Sequence, residues 1–352
     1  MTAVDVAILH PEPGPDAGPL TVATAAARLD VAERHHRGFL EAGATRATVI
    51  ARPADATPFG ARLRDIVADI GEGGLIVLGS GAVPLATEAD RRELIQVAGE
   101  DRPRALTNNR YSADVVAVAR ARSVLAGVPD LPGDNALPRW LAEHAGVPVD
   151  DRRGRTRLGI DIDGPLDLVL LGKRWRAWLS PADTARVRAI IDAIRAIVDD
   201  PGSELVVAGR VSAANLAWLE ARTASRTRAL IEERGLRTRR AGQRPAASVL
   251  GALLERDGPS SLGDHLERLG EAAVVDTRVL LAHRSGAEEG NWPDPEDRFA
   301  SDLLLPSRVA DQWLRELTAS AVAARIPILL GGHTLVGPGL RLALGRRSVG
   351  SG

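Results

Sequence analysis

Short apolar runs alternate with segments of helical periodicity along the first half of this chain, and this alternation restricts the fold more than any other feature. Repeated strand–helix–strand units build a mostly parallel sheet with helices on both faces. Runs that are apolar throughout are typical of strands buried on both faces. The predicted strands are residues 4–9, 47–51, 74–78 and 114–118, and the predicted helices include residues 20–42, 59–70 and 88–98.

Apolar runs recur in the second half, at residues 204–208, 272–275 and 326–330, but longer helical segments separate them. The predicted helices there include residues 181–198 and 213–234. Charge alternates over residues 225–240, on a helix predicted to end at Gly235, and we interpret this stretch as a solvated face. A chain of 352 residues exceeds what one hydrophobic core usually organises. We therefore predict two domains, a doubly wound α/β domain over residues 1–178 and a helix-rich α/β domain over residues 179–352, with the boundary near Trp178.

Composition excludes several kinds of site and partner. The chain has no cysteine, so any metal must use carboxylates or histidine, and the adjacent His35 and His36 point in different directions on a predicted helix. The net charge of -1 predicts no nucleic-acid partner, and we interpret the arginines at 237, 239 and 240 as solvated surface. Neither a signal peptide nor an apolar stretch of about 18 residues is present, so we expect a cytoplasmic protein without a membrane partner. The oligomeric state, a homo-oligomer included, stays open.

Two segments of the first half place distinctive residues next to predicted strands. Residues 159–168 read Gly-Ile-Asp-Ile-Asp-Gly-Pro-Leu-Asp-Leu, with carboxylates at Asp161, Asp163 and Asp167 around a proline at the first helical turn. Carboxylates in this arrangement can hold a divalent cation beside a triphosphate. The alternative is a plain strand-to-helix junction with an acidic cap. Residues 75–87 read Leu-Ile-Val-Leu-Gly-Ser-Gly-Ala-Val-Pro-Leu-Ala-Thr, a strand that runs into a glycine-containing turn.

Residues 159–168 resemble the closing motif of the nucleotidyltransferase superfamily that includes molybdenum-cofactor guanylyltransferase and phospholactate guanylyltransferase, roughly D-[IV]-D-T-P-x-D-L. Residues 75–87 are similar to the central strand and the G-[ST]-D-x-P-L-[LI]-[TS] turn of the same family. The resemblance implies that a nucleoside triphosphate binds with Mg²⁺ or Mn²⁺, and that Asp161 and Asp163 are the metal ligands. It also implies transfer of a nucleotidyl group to a small phosphorylated acceptor.

Two positions depart from the family pattern. Ala82 stands where the family has a metal-binding Asp, and alanine cannot bind a cation. Residues 10–18, where the family has a glycine-rich phosphate loop, contain three prolines together with Glu12 and Asp16. Two other interpretations therefore stay open. One is a degenerate nucleotide-binding or scaffolding domain fused to a phosphate-handling or hydrolytic domain, and the other is a nucleotide-sugar glycosyltransferase, a class that also uses a DxD pair with a metal.

Polar loops of the first half supply candidate nucleotide contacts, because amide and guanidinium groups can bind a base edge or a ribose. Asp114, beside a predicted strand, is a candidate to replace the carboxylate that Ala82 lacks. The alternative is that these side chains form turns with their own backbone. The candidate nucleotide-binding residues are Asn108, Asn109, Arg110, Asp134 and Asn135.

Predicted strands of the second half also end in polar residues, at 209–212, 276–278 and 331–334. If these strands are parallel, their carboxyl ends meet at one edge, where open α/β sheets bind ligands. The alternative is ordinary helix capping and loop contacts. The candidate phosphate ligands are Arg210, Ser212 and Arg278, and the candidate acid–base or metal-binding residues are Asp276 and His333.

Overall fold

The chain is a two-domain α/β protein, and its computed structural model describes residues 2–53, 55–233 and 245–345. It divides into two compact units. The first unit comprises Met1–Ala17 and Ala25–Ile162, and the second comprises Gly18–Thr24 and Asp163–Gly352. The two compact units divide the middle of the chain after Ile162, whereas the boundary predicted from the sequence is near Trp178.

The first unit contains one sheet with the strand order β2-β1-β3-β5-β4-β6. Neighbouring strands are parallel except at β5, which is antiparallel to β3 and to β4. The strands are β1 (Val4–Glu12), β2 (Arg46–Pro53), β3 (Gly74–Gly79), β4 (Ala105–Thr107), β5 (Val115–Val118) and β6 (Val149–Asp151). The helices are α1 (Pro19–Glu41), α2 (Phe59–Ala68), α3 (Glu88–Ala98), α4 (Ala121–Leu125) and α5 (Leu137–Glu143).

Apolar side chains cover both faces of this sheet, as a doubly wound fold requires. Successive residues of a strand point to opposite faces, so Ile8 packs in one cluster with Phe39 of α1, while Ala7 packs in the other with Leu63 of α2. The sequence prediction of a doubly wound, mostly parallel α/β domain is confirmed. The short strands β4 and β6 were not predicted.

The second unit contains a parallel sheet with the order β10-β9-β7-β8. Its strands are β7 (Glu204–Gly209), β8 (Arg226–Ile231), β9 (Ala272–Asp276) and β10 (Ile328–Gly331). Helix α8 (Pro181–Val198) packs against β7, β9 and β10. The helices are α6 (Pro165–Leu171), α7 (Lys173–Arg176), α8 (Pro181–Val198), α9 (Ala213–Arg222), α10 (Val249–Asp257), α11 (Leu262–Glu267), α12 (Thr277–Ser285), α13 (Pro295–Asp302), α14 (Gln312–Ala323), α15 (His333–Val336) and α16 (Gly339–Leu344).

The predicted helix over residues 213–234 is wrong over residues 223–233, and the part of the charged stretch 225–240 that the structure describes is not helical. Helix α9 ends at Arg222, and Arg226–Ile231 forms the edge strand β8. Arg226 and Arg228 are exposed while Thr227 between them is half-buried, so the charges lie on the solvent face of a strand. The arginines at 237, 239 and 240 lie outside the described residues.

Each sheet has a point where the chain reverses its direction of winding. In the first unit β2 lies on one side of β1 and β3 on the other, and in the second unit β8 and β9 flank β7 in the same way. Ligands of open α/β sheets bind beyond the carboxyl ends of the strands at such a point. The candidate sites are therefore expected beyond β1 and β3, and beyond β7 and β9. In the parts of the chain that the structure describes, no helix has the length and apolar character needed to cross a membrane.

Candidate functional site

His10 and Ser80 meet at the winding reversal of the first unit. Leu9 of β1 is opposite Gly79, the last residue of β3, so His10 and Ser80 lie side by side where β3 ends, while β1 continues to Glu12 beside β2. The Ser80 backbone N–H donates to the Leu9 carbonyl oxygen over 2.8 Å. His10 Nδ1 lies 3.0 Å from Ser80 Oγ, and both side chains are buried. The sheet register thus fixes a histidine–serine pair where a ligand is expected.

The turn that follows β3 pairs with the segment that carries Asp161. Ala82 and Asp161 form an antiparallel β-bridge, and the Ile162 backbone N–H donates to the Gly81 carbonyl oxygen over 3.1 Å. A Cβ on Gly81 would lie 2.9 Å from the Ile162 carbonyl oxygen and 3.2 Å from Asp161 Oδ1. Glycine is therefore required at position 81 because the two segments approach closely. This contact joins the two segments whose sequences resemble nucleotidyltransferase motifs.

Backbone strain marks the same turn. Val83 has a φ of 40°, which is unusual for a β-branched residue. Strained residues persist where the surroundings hold them in place, and they cluster at ligand sites. The Ala82 carbonyl oxygen lies 2.8 Å from His35 Nε2, and His35 is fully buried on α1. Helix α1 thereby holds the strained turn in place.

Arg28 of α1 supplies positive charge beside the pair. Its Nε donates to the Ile162 carbonyl oxygen over 2.6 Å, and its Cγ flanks Gly81. Burial lowers the pKa of His10, and Arg28 lowers it further, while Glu12 acts in the opposite direction. His10 is therefore neutral near pH 7. No lysine precedes Lys173, so every side-chain cation of the first unit other than histidine is an arginine.

The Asn108–Asp114 loop lies at the same edge, since β4 ends there and the antiparallel β5 begins there. Asn108 Nδ2 donates to Asp114 Oδ2 over 2.7 Å and to the Leu158 carbonyl oxygen over 2.9 Å. Asn108 Oδ1 accepts from the Asp114 backbone N–H over 3.0 Å. The side chain of Asn108 is thus used within the protein. It fixes Asp114 beside β3, where the sequence places a replacement carboxylate.

The other predicted nucleotide contacts are placed differently. Asn109 Oδ1 accepts from the Tyr111 backbone N–H over 3.0 Å, which is a turn contact. Asp134 Oδ1 accepts from the Asn135 backbone N–H over 2.8 Å in a short 3-10 helix before α5. Arg110 is half-buried in the β4–β5 loop. Nucleotide binding by these residues stays a prediction, and local turn geometry accounts for the contacts of Asn109 and Asn135.

The predicted metal ligands belong to different units. Asp161 belongs to the first, where its Oδ1 accepts from the Ile162 backbone N–H over 2.8 Å, and Asp163 belongs to the second. Within the described residues, no group of three or more histidine, aspartate or glutamate side chains is arranged to hold a metal. Magnesium commonly takes one or two carboxylates and completes its shell with water and substrate phosphates. The carboxylates that the first unit places at this edge, Asp161 and Asp114, fit only that kind of site, and the metal stays a prediction.

The first turn of α1 belongs to the second unit, and an internal carboxylate caps it there. Glu296 accepts from the Leu20 backbone N–H over 3.1 Å, and from the Thr21 backbone N–H and hydroxyl over 2.9 Å each. The N-terminus of a helix that follows the first strand is where many nucleotide-binding folds hold phosphate. In this chain those donors are taken by Glu296. The expectation that residues 10–18 are poorly suited to phosphate agrees with this arrangement.

The second unit has its own charged cluster at its winding reversal. Strands β7, β9 and β10 are parallel, so their polar ends lie at one edge. Arg210 donates to Asp276 through Nε over 2.7 Å and through Nη2 over 3.2 Å, and the Asp276 carboxylate is completely buried. Gly209 has a φ of 127°, and a Cβ there would lie 2.3 Å from Asp276 Cβ. Glycine is required at the end of β7 for both reasons.

Arg278 forms a second buried ion pair. Its two terminal nitrogens donate to the carboxylate oxygens of Asp302 over 2.5 and 2.6 Å. Burial alone would lower the pKa of Arg278, but Asp302, with smaller contributions from Asp276 and Asp163, raises it. Both predicted phosphate-binding arginines therefore face carboxylates of the protein. Their role toward phosphate stays a prediction.

The remaining candidates of the second unit lie at helix starts. Ser212 Oγ accepts from the Asn215 backbone N–H as the N-cap of α9, and His333 begins α15 directly after β10. Asp167 Oδ2 accepts from the Asp163 and Gly164 backbone N–H groups over 2.8 Å each. Burial raises the pKa of Asp167 to about 8, with a further contribution from Asp163. This carboxyl group is therefore mostly protonated near pH 7.

Sequence reasoning missed His10, Ser80 and Arg28 in the first unit and Asp302 in the second. His10 and Ser80 each directly follow a buried apolar run, which is a usable signal in a parallel sheet. Arg28 and Asp302 lie within helices and carry no comparable signal. Their positions follow from tertiary packing.

No protein-family model matches this chain, and no curated protein matches it. Among solved structures, similarity is found to a protein of Desulfovibrio desulfuricans G20 that is assigned as a nucleotide-diphospho-sugar transferase. The match covers 51% of this chain and 94% of that protein, with 14% sequence identity and a TM-score of 0.37. Similarity at this level assigns no function to this chain.

Proposed function

We propose that the protein is a transferase that binds an activated nucleotide at the carboxyl edge of β1 and β3 and moves its nucleotidyl group to a small phosphorylated acceptor. The observation that carries the proposal is the pairing of Ala82 with Asp161. It brings together the two segments that resemble nucleotidyltransferase motifs, although about 80 residues separate them along the chain. The strained turn and the adjacent Arg28 lie at the same place.

The residues at this edge suit phosphate transfer that depends on positioning and charge. Arg28 and a magnesium ion bound through Asp161 would neutralise charge that develops on the phosphate. The proposal includes Asp163 as a second metal ligand. Asp114 is a further carboxylate at the edge, held by Asn108. The acceptor then needs only to place its phosphate oxygen in line with the bond that breaks.

A second candidate is glycosyl transfer from a nucleoside diphosphate sugar. The backbone donors at the start of α1, which serve phosphate in many nucleotide-binding folds, are bound to Glu296. Glu12 and Asp16 add negative charge in the segment after β1. Such surroundings oppose a triphosphate more than a diphosphate, because the triphosphate carries more charge.

Calorimetric titration of the full chain with GTP, ATP, UDP-glucose and GDP-mannose, each with and without Mg²⁺, tests the proposal. We expect either the triphosphates or the nucleotide sugars to bind only when Mg²⁺ is present. In Asp161→Asn or Asp163→Asn, we expect Mg²⁺ to make no difference to the affinity for that ligand. Asp65→Asn, an exposed carboxylate of α2, is the matched control. A triphosphate ligand supports nucleotidyl transfer, and a nucleotide-sugar ligand supports the second candidate.

Absence of binding by all four compounds would refute both candidates. Binding without turnover, in the presence of phosphorylated small-molecule acceptors, would instead support the degenerate nucleotide-binding interpretation. Metal-dependent binding that survives in both carboxylate variants would move the metal site away from Asp161 and Asp163. Hydrolysis of small phosphoesters that is lost in His333→Ala would assign a separate activity to the second unit.

A further inference from the structure

The histidine–serine pair of the first unit is not explained by the motifs that suggested the function. His10 occupies the first position of the segment where the resembled family has its phosphate loop, yet it is a buried, neutral imidazole. Buried polar groups normally complete their hydrogen bonds within the protein. His10 Nδ1 does so with Ser80, whereas no residue in the described ranges binds His10 Nε2.

The position of Nε2 allows it to accept a proton from a bound ligand. His10 lies at the carboxyl edge of the sheet, one residue beyond the Leu9–Gly79 pair. The charged groups that act on it are Arg28 of α1 and Glu12 of its own strand. In the tautomer whose Nδ1–H donates to Ser80 Oγ, Nε2 carries a lone pair and can accept a proton. Ser80 is buried and bound to β1 through its backbone, so it holds the ring in one orientation.

We infer that His10 is the general base of the transfer reaction and that Ser80 is the residue that positions it. This inference rests on the proposed function and names the group that handles the proton. The base acts where the acceptor oxygen still carries a proton, as in water or in a phosphate monoanion, whose second pKa is about 6. That oxygen attacks the electrophilic centre of the donor while its proton passes to His10 Nε2. The bond to the leaving phosphate breaks, and the leaving group departs with the electron pair. His10 then returns the proton to solvent, so atoms and charge balance.

The inference predicts a distinct pattern among variants. In His10→Asn the side-chain amide can still bond to Ser80, but the proton-accepting Nε2 is absent. We expect turnover to fall by about 100-fold or more, with much less change in donor affinity. We expect Ser80→Ala to lose less, and Ser80→Thr to recover most of that loss because it keeps the hydroxyl. His36→Gln, which changes a half-buried histidine of α1, serves as the control.

The assay uses whichever of GTP, ATP, UDP-glucose or GDP-mannose the full-length protein binds with Mg²⁺. It measures release of phosphate-containing product, first with water and then with a phosphorylated small molecule as the acceptor. In the wild type, the rate should rise with pH through a titration whose midpoint is below the ordinary histidine value of about 6.5. His10→Asn should lack that titration. A purely structural role for His10 would lower the rate without removing the pH dependence. Thermal unfolding of each variant checks that the fold is retained.

The outcomes separate this inference from the proposed function. If none of the four compounds binds the wild type, the proposed function fails and the inference fails with it. If a compound binds but the wild type turns it over neither with water nor with a phosphorylated acceptor, the transfer activity and the inference fail together, and the degenerate nucleotide-binding interpretation is supported. If His10→Asn turns the compound over as fast as the wild type, only the inference is overturned. If His10→Asn unfolds, the pH profile of Ser80→Ala decides the matter, because a shifted titration supports the inference and an unchanged one overturns it.

Discussion

The two adjacent histidines of α1 provide a sharp test of the electrostatics of the first unit. His35 is fully buried, and its Nε2–H donates to the Ala82 carbonyl oxygen. Its Nδ1 is buried and has no hydrogen-bond partner among the residues that the structure describes. Protonation of Nδ1 would therefore place an unpaired N–H and a charge inside the protein. Burial lowers the pKa of His35 to about 4, and Arg91 and Arg34 act in the same direction.

The effect on stability follows from proton linkage. Between about pH 6.5 and pH 4, the unfolded chain binds a proton at His35 and the folded protein does not. The contribution of neutral His35 is thus complete above pH 6.5 and is lost as the pH falls to about 4. A shift of about 2.5 units at roughly 1.4 kcal/mol per unit corresponds to about 3 kcal/mol of unfolding free energy.

The assay is urea denaturation followed by circular dichroism at pH values from about 7 to about 4. In His35→Gln the amide can still donate to Ala82 but does not titrate, so the stability should fall less steeply with acid than that of the wild type. His36→Gln, which alters the neighbouring half-buried ring, should keep the wild-type slope. Parallel curves for the wild type and His35→Gln, or a slope lost in His36→Gln instead, would refute the reasoning.

Two further predictions concern the charged cluster of the second unit. Asp302→Asn should lower the unfolding free energy by about 3–5 kcal/mol, measured by chemical denaturation, because it leaves the buried guanidinium of Arg278 without its carboxylate; a loss below about 1 kcal/mol, the scale of surface ion pairs, would contradict this. Gly209→Ala should destabilise the protein in thermal unfolding, since its Cβ would lie 2.3 Å from Asp276 Cβ at a positive φ, whereas Gly290→Ala meets nothing within 4 Å and should unfold like the wild type.

The alternation of strands and helices was readable from the sequence because it depends on local patterns. An apolar run predicts a buried strand, and apolar residues at helical spacing predict a helix with one buried face. Both patterns can be recognised from the residues of one short segment alone. The same locality explains the error at β8. Its exposed Arg226 and Arg228 resemble the charged face of a helix until the pairing of β8 with β7 shows them to be the solvent face of an edge strand.

Partners of polar side chains were not readable in this way. The sequence offered Arg210 and Arg278 as phosphate ligands, but only the packing of β7, β9 and α13 shows that Asp276 and Asp302 already bind them. The sequence offered Asn108 as a nucleotide contact, whereas its amide joins Asp114 to Leu158. A polar side chain forms hydrogen bonds with the groups that the fold brings near it. These groups are often distant in the sequence, so the neighbouring residues do not predict them.

The sequence by itself determined two α/β domains, the edge of each sheet at which polar residues gather, and the two segments that resemble nucleotidyltransferase motifs. Only the tertiary structure decided that Ala82 pairs with Asp161 and that His10 lies against Ser80. Strand order and register are the physical reason. They are set by which buried surfaces pack together across the chain, and together with the packing of turns and helices against the sheet they determine which side chains meet.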